Sequence, residues 1–389
     1  MNSVLVVMPL STLDLGSRSS GGVDSVCQTL IDSLANNTNY KNFEYTIIAF
    51  NPFNDCTKEG KYTELTKNLK IYQFNNNLHL EHSPVRIPAI LWQNYVIWKI
   101  LRKVKPSIFH THLLSWQIFP YKKTKTIATL HAYKKFGRSS VSKINDFFYE
   151  KIIPALSKIN INHYTVVSQR LKRATLDLNK GVSIIYNPLP SKYTKTHTSA
   201  ESKLKTERIN LVTCGNVTKN KGIHHAIEIL HKLNQKGAHA HLNIIGHATN
   251  NPYLTGLKDQ IVKFKLKDNV TFHNQLPSEK ILRIYEDSDY GLFLSAEETF
   301  GLVPIEMIAC GLEVICSRVG IMDDLFHEFS AFDVKIVEQV DSTEISDYIY
   351  NSGKCKLDEA KNYILDNFDK DTIIKNYEQL YESILKSDN

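Results

Sequence analysis

Two carboxylates, Glu298 and Glu306, stand with seven residues between them in the segment Ser295-Ala-Glu-Glu-Thr-Phe-Gly-Leu-Val-Pro-Ile-Glu-Met-Ile-Ala-Cys-Gly311. Upstream, Tyr290-Gly-Leu-Phe-Leu-Ser295 is short and apolar, the pattern of a buried strand. Downstream, Pro304 to Cys310 has helical character, with Pro in the first turn and Gly311 past the end. The spacing predicts Glu298 in a strand-to-helix loop and Glu306 in the opening turn of the helix. Backbone N–H groups at such a loop and helix N-terminus favour an anion. Carboxylates beside them accept paired hydrogen bonds from vicinal diols. A ligand carrying both phosphates and hydroxyls, such as a nucleotide sugar, suits the combination.

The segment resembles the Glu-x7-Glu signature of retaining glycosyltransferases with the GT-B fold, the glycogen-synthase-like group known as glycosyltransferase family 4. The flanking strand, Phe-Gly, Pro and Ala-Cys-Gly all agree with that signature. The resemblance implies that Glu298 faces the donor sugar and Glu306 the nucleoside ribose. It also implies that Phe300, Gly301, Leu302 and Val303 offer backbone N–H groups to the donor diphosphate.

Other segments fit the same family. Cys214-Gly-Asn216-Val-Thr-Lys-Asn-Lys221-Gly222 resembles its Gly-Arg-x-x-x-x-Lys-Gly loop, whose cations neutralise the diphosphate; Lys221 matches, and Asn216 stands where Arg is usual. An Asn donates hydrogen bonds but offsets no charge. Gly21-Gly22-Val23 resembles the Gly-Gly-Val loop near donor phosphate and acceptor, and Asn243-Ile-Ile-Gly246 the turn near the nucleotide base. Thr129-Leu-His131 resembles a strand end whose His approaches the sugar, with Ala132 in place of the usual Gly. His110 and His112 close the preceding strand, and His110 reads as structural. Val319-Gly320 is a weaker match to a Gly-Gly-x-x-Glu loop. Asp287-Ser-Asp289 could hold a metal in a different glycosyltransferase fold. It ends a helix and leads into a strand, the wrong end of an open α/β sheet for a site, so it reads as a turn. Neither a metal nor a cofactor is expected. The catalytic candidates are therefore His131, Glu298 and Lys221.

The elements that must position these groups alternate strand-like runs with helical periodicity, which predicts an α/β chain of parallel units. Strands are expected at 3–9, 44–50, 69–74, 107–111, 125–130, 163–167, 182–186, 209–214, 240–246, 269–273, 290–295, 313–317 and 331–336. Helices are expected near 23–36, 88–104, 140–160, 168–178, 222–236, 253–265, 278–286, 303–310 and 341–352, and the tail 357–385 is helical again. Residues 51–70 read as a polar, variable loop. The stretch 191–208, rich in Lys, Thr, Ser and Glu, reads as an interdomain connection. The family resemblance adds two Rossmann-like domains facing across a cleft. Residues 1–190 would bind the acceptor and 207–369 the nucleotide-sugar donor, with a C-terminal helix, 370–389, crossing back to the first domain.

Composition narrows the class. The chain has 389 residues, 42% of them hydrophobic, enough for two domains of ordinary size. No apolar run approaches the length of a spanning helix, and Met1 to Leu10 reads as a first core strand, not a signal peptide. Six scattered Cys without Cys-x-x-Cys suggest reduced thiols and a cytoplasmic home. Residues 1–190 hold 24 Lys+Arg and 11 Asp+Glu, a net +13, and residues 191–389 hold 23 and 29, a net −6. The basic first half, with Ile90-Leu-Trp-x-x-Tyr-Val-Ile-Trp98 beside Arg102-Lys-Val-Lys105, has two readings: a face for anionic lipid, or a core helix with solvated charges. Nucleic acid is not expected, since no RNA-binding signature is present. The expected partners are a nucleotide-sugar donor, a glycan or lipid-linked oligosaccharide acceptor, and the inner face of the cytoplasmic membrane. A GT-B sugar-nucleotide epimerase and a non-catalytic nucleotide-sugar-binding protein are the alternatives.

Overall fold

The computed structural model describes residues 2–36, 42–77, 88–121, 124–136, 142–194, 208–248, 252–351 and 357–387. The chain divides into two compact units, Met1–Pro188 with Lys370–Asn389, and Leu189–Asp369.

The first unit is built on eight strands: β1 (Asn2–Pro9), β2 (Phe43–Asn51), β3 (Tyr62–Thr66), β4 (Leu69–Asn75), β5 (Ile108–Thr111), β6 (Lys125–Leu130), β7 (His163–Val166) and β8 (Gly181–Ile184). Their order is β3-β4-β2-β1-β5-β6-β7-β8. All neighbours pair in parallel except β3 on β4. Val4, Leu5, Val6 and Val7 are all buried, because helices cover both faces of a parallel sheet and leave no side for alternation. One core layer packs Leu5, Val7, Ile48, Phe50 and Phe109 against Val96, Ile97, Ile100 and Trp116.

The second unit has six strands: β9 (Arg208–Cys214), β10 (His239–Ile245), β11 (Val270–Phe272), β12 (Tyr290–Phe293), β13 (Glu313–Ser317) and β14 (Lys335–Val337). All pair in parallel, in the order β11-β10-β9-β12-β13-β14. Counted within the unit, this is the doubly wound order in which the sheet grows one way from its first strand and then the other. The helix Ile223–Gln235 buries Ile223, Ala226, Ile227, Leu230 and Leu233, the helical spacing of an amphipathic face.

The structure departs from the sequence reading in a few places. Residues 51–70 are not wholly loop: β2 runs on to Asn51, and Tyr62–Thr66 forms an antiparallel edge strand. Its side chains are nearly all exposed, so no apolar alternation marks it. The helix expected at 140–160 has a π-turn, Phe148–Ile152, between Lys143–Phe147 and Ile153–Asn160. The strand expected at 331–336 starts later, because Phe326–Ala331 is helical and a turn through Asp333, at positive φ, intervenes before β14. Within the expected connection, Ser191–Thr194 is a short helix with Tyr193 buried; 195–207 lie outside the described residues.

The tail forms two helices, Asp358–Asn367 and Lys370–Lys386. The second buries Ile373, Ile374, Tyr377, Tyr381 and Ile384 in the first unit. Lys370 pairs with Asp32 at 2.6 Å, and the Tyr45 hydroxyl donates to Glu378 at 2.9 Å.

Candidate active site

In the second sheet the direction of winding reverses between β9 and β12. The loops leaving the carboxyl ends of the strands at such a reversal are the usual place for a ligand in an open α/β sheet. The two loops are fastened together. Ala296 N–H donates to the Asn220 carbonyl at 2.8 Å, and the Asn220 side-chain amide donates to the Glu297 carbonyl at 2.9 Å. Two glycines bring the neighbouring loops in. Gly246, after β10, has φ +150° and lies so close to the β9 loop that a Cβ would stand 1.9 Å from the Gly215 carbonyl oxygen. Gly320, after β13, has φ +59°, and a Cβ there would stand 2.1 Å from the Phe300 carbonyl oxygen. Any side chain at either position would force the backbone apart.

Lys221 and Glu298 meet on these loops: the Lys221 ammonium donates to Glu298 Oε1. The two side chains are only 24% and 15% exposed, so water screens the pair incompletely. The ammonium also stands 5.9 Å from the Phe293 ring centroid. Asn216, on the same loop, is exposed, and its carbonyl accepts from Thr218 N–H at 2.8 Å.

Beyond Glu298, Phe300 is an anchor: its ring is buried and meets Phe368 edge-on at 6.2 Å. Its carbonyl accepts from Ile321 N–H at 2.7 Å. Gly301 precedes the helix Leu302–Ala309, which has no acidic residue in its first turn. Leu302 and Val303 lie where backbone N–H groups have no acceptor within the helix, and Pro304 has no N–H. An anion there would therefore meet backbone donors, with no carboxylate from the helix's own first turn opposing it. Glu306 is the fifth residue of this helix, not part of its opening turn as expected, because the helix starts two residues before Pro304.

The surroundings of Glu306 come from a segment the sequence did not single out. Burial raises its pKa, and the Lys192 ammonium and a hydrogen bond with Tyr193 oppose that rise. Lys192 Nζ lies 4.7 Å from the Tyr193 ring centroid, and that ring stacks on Tyr285 at 6.3 Å. Lys192 has its own pKa lowered by burial, with Glu306 resisting. A nearby cation and a hydroxyl donor restrain how that buried carboxylate can turn. Nothing local in the sequence ties residues 192 and 193 to residue 306. Only the packing of the two helices does.

The first unit positions the remaining candidates. Gly21 and Gly22 are exposed, with open space where a Cβ would lie, and the helix Gly22–Asn36 begins there. Its Asp24 carboxylate already accepts from Ser11 N–H at 3.0 Å and Ser20 N–H at 2.7 Å, so the loop is organised from within. His131 follows β6 and His112 follows β5; their rings share a hydrogen bond at 3.1 Å and stack at 5.3 Å. Burial lowers the His131 pKa to about 4 and holds that of His112 well below the usual range. His131 is therefore a neutral hydrogen-bonding group near pH 7. His110 is committed to structure, 2.7 Å from both the Tyr381 hydroxyl and Thr129 Oγ1. Asp289 is also occupied, since its carboxylate accepts from Asn210 N–H at 2.8 Å at the amino end of β9, away from the loops above.

Residues 194–363 match the family model of glycosyl transferases group 1. The chain is 26% identical over 252 residues to the O-antigen chain mannosyltransferase of Salmonella typhimurium, an alignment spanning 62% of this chain and 65%, just under two thirds, of that relative. Among solved structures, sucrose-phosphate synthase from Thermosynechococcus elongatus superposes with a TM-score of 0.72 over 100% of both chains at 16% identity. Anabaena HepE in complex with UDP and glucose superposes with a TM-score of 0.67 over 98% of this chain and 100% of its own, at 15% identity. Residues 194–363 thus resemble the group 1 glycosyl transferases, and the chain has the GT-B fold, with two parallel-sheet units.

Proposed function

We propose that this enzyme moves a sugar from a nucleoside diphosphate sugar to a hydroxyl of a lipid-linked glycan acceptor during surface polysaccharide assembly, with retention at the anomeric carbon. The observation that carries the reading is the gathering of Lys221, Glu298 and an acid-free helix N-terminus at the switch point between β9 and β12. Cation and amides suit a diphosphate, and the two carboxylates suit hydroxyls on either side of it. The O-antigen mannosyltransferase relative and the UDP and glucose complex of HepE support the choice of acceptor class and donor class.

In this reading the Leu302 and Val303 amides and Lys221 stabilise the charge that grows on the leaving diphosphate. Glu298 orients the sugar, Glu306 the ribose, and neutral His131 supplies a polar contact to the sugar. The bond from the anomeric carbon to the leaving phosphate oxygen breaks as the acceptor oxygen adds on the same face. The acceptor proton passes to the departing phosphate, so no dedicated base is assigned.

The test is release of nucleoside diphosphate from UDP-, GDP- and ADP-sugars, with and without lipid-diphosphate oligosaccharides. Acceptor-dependent release from one donor, with Glu306→Ala raising its KM about tenfold or more, is the expected result. An altered sugar released without any acceptor would mark an epimerase instead. No turnover and no change on Glu306→Ala would overturn the donor reading.

A further inference from the structure

We propose that Glu298 is the counter-ion of Lys221 when no sugar is present, and that this contact makes the site discriminate against the sugar-free nucleoside diphosphate. The inference rests on the donor reading above and adds a second task for Glu298.

The ammonium assigned to phosphate is already engaged by a carboxylate of the same site. That engagement is built in, because Asn220 ties the Lys221 loop to the Glu298 loop through both its carbonyl and its side chain. The pair is largely shielded from water, where a carboxylate and an ammonium attract more strongly than on the surface. Position 216 is a neutral Asn and Lys219 is exposed, so Lys221 carries most of the charge this loop can bring to bear.

A diphosphate must therefore compete with Glu298 for Lys221, and it meets the like charge of Glu298 as it does so. Attached to the phosphate, a sugar changes the balance. Its hydroxyls donate to the Glu298 carboxylate, replace the bond that Lys221 made, and release the ammonium to the phosphate. Once the sugar has been transferred, those hydroxyl donors leave and Glu298 reclaims Lys221. The pair thus favours the intact donor over the spent nucleotide and speeds product departure.

Calorimetric titration of the full chain with UDP, GDP and ADP tests this, using the nucleotide that binds best. Glu298→Gln keeps the shape of the side chain but removes its charge. It is expected to bind the nucleoside diphosphate about tenfold more tightly, while donor turnover falls. Lys221→Ala is expected to weaken the same binding about tenfold or more. With Lys221 already replaced, Glu298→Gln should give a smaller gain than in the parent chain, since only the like charge of Glu298 is then removed and no bond to Lys221 is freed. Thermal unfolding of each variant confirms that it is folded, and Glu298→Ala serves in place of any that is not. Weaker binding by Lys221→Ala with no gain from Glu298→Gln would overturn the counter-ion proposal and leave the donor reading standing. Indifference of nucleotide binding to both changes would overturn the two together.

Discussion

A neutral amide at position 216 leaves the loop after β9 one charge poorer than the family pattern, and Lys221 is shared with Glu298. Replacing Asn216 with Arg would add a planar cation with paired donors, the geometry that suits phosphate oxygens. On the donor reading, Asn216→Arg should tighten nucleoside diphosphate binding about tenfold by calorimetry. An unchanged affinity would place the phosphates away from this loop. Much of the candidate site was legible residue by residue, because Lys221, Gly246 and Glu298 each follow a strand by only a few positions and lie in short recognisable runs. Lys192 and Tyr193 were not. Their segment looked like a polar connection, and only the packing of the helix Ser191–Thr194 against the helix Leu302–Ala309 gives them Glu306 as a neighbour. Asn220 was missed for a related reason. It reads as one more polar loop residue until its two bonds to the Glu298 loop are seen.

Buried parallel strands betray themselves as unbroken apolar runs, so the strands on either side of the β9–β12 switch point could be read directly. Elements at the margins could not: β3 has no buried face, and β14 follows apolar residues that belong to a preceding helix. The least legible feature of the first sheet is how the helix Lys370–Lys386 is held. It brings Tyr377 and Tyr381 to a polar core formed by His110 on β5 with Thr129 on β6 and Thr165 on β7. Burial lowers the His110 pKa to about 3 and that of the neighbouring His131 to about 4. An unfolded histidine titrates near pH 6.5. The unfolded chain therefore binds more protons than the folded one between those values, and stability rises with pH there. Stability should be full above about pH 6.5 and fall as the solution is acidified toward pH 4, by about 1.4 kcal/mol per pH unit for each such histidine. Chemical denaturation at a series of pH values checks this. His131→Asn should flatten the slope, and a slope unchanged by that substitution would refute the assignment.

At the scale of the whole molecule the dominant asymmetry is charge, with a net +13 over residues 1–190 and a net −6 over the rest. The helix Ala89–Val104 shows what the basic part offers. Its two sides differ: Val96, Ile97, Ile100 and Leu101 are buried, while Leu91, Tyr95 and Trp98 are 49%, 52% and 42% exposed. Tyr95 and Trp98 stack at 6.3 Å, and the Arg102 guanidinium lies 4.6 Å from the Trp98 ring centroid. Aromatic rings with Lys99, Arg102 and Lys103 on one helix suit an interface where lipid headgroups are anionic, at about 1 kcal/mol for each well-placed cation. An acceptor carried on lipid would be met at such a surface. The full chain is accordingly expected to sediment with phosphatidylglycerol vesicles and not with phosphatidylcholine vesicles, and to be released by about 0.5 M salt, where screening shortens the reach of surface charge. Replacing Tyr95 and Trp98 with Ser should weaken the vesicle association about tenfold while leaving nucleoside diphosphate affinity unchanged, because the helix belongs to the first unit and the Lys221 and Glu298 loops to the second. Equal binding to both lipids would show that charge does not direct the contact. Full binding by the double variant would show that this helix does not make it.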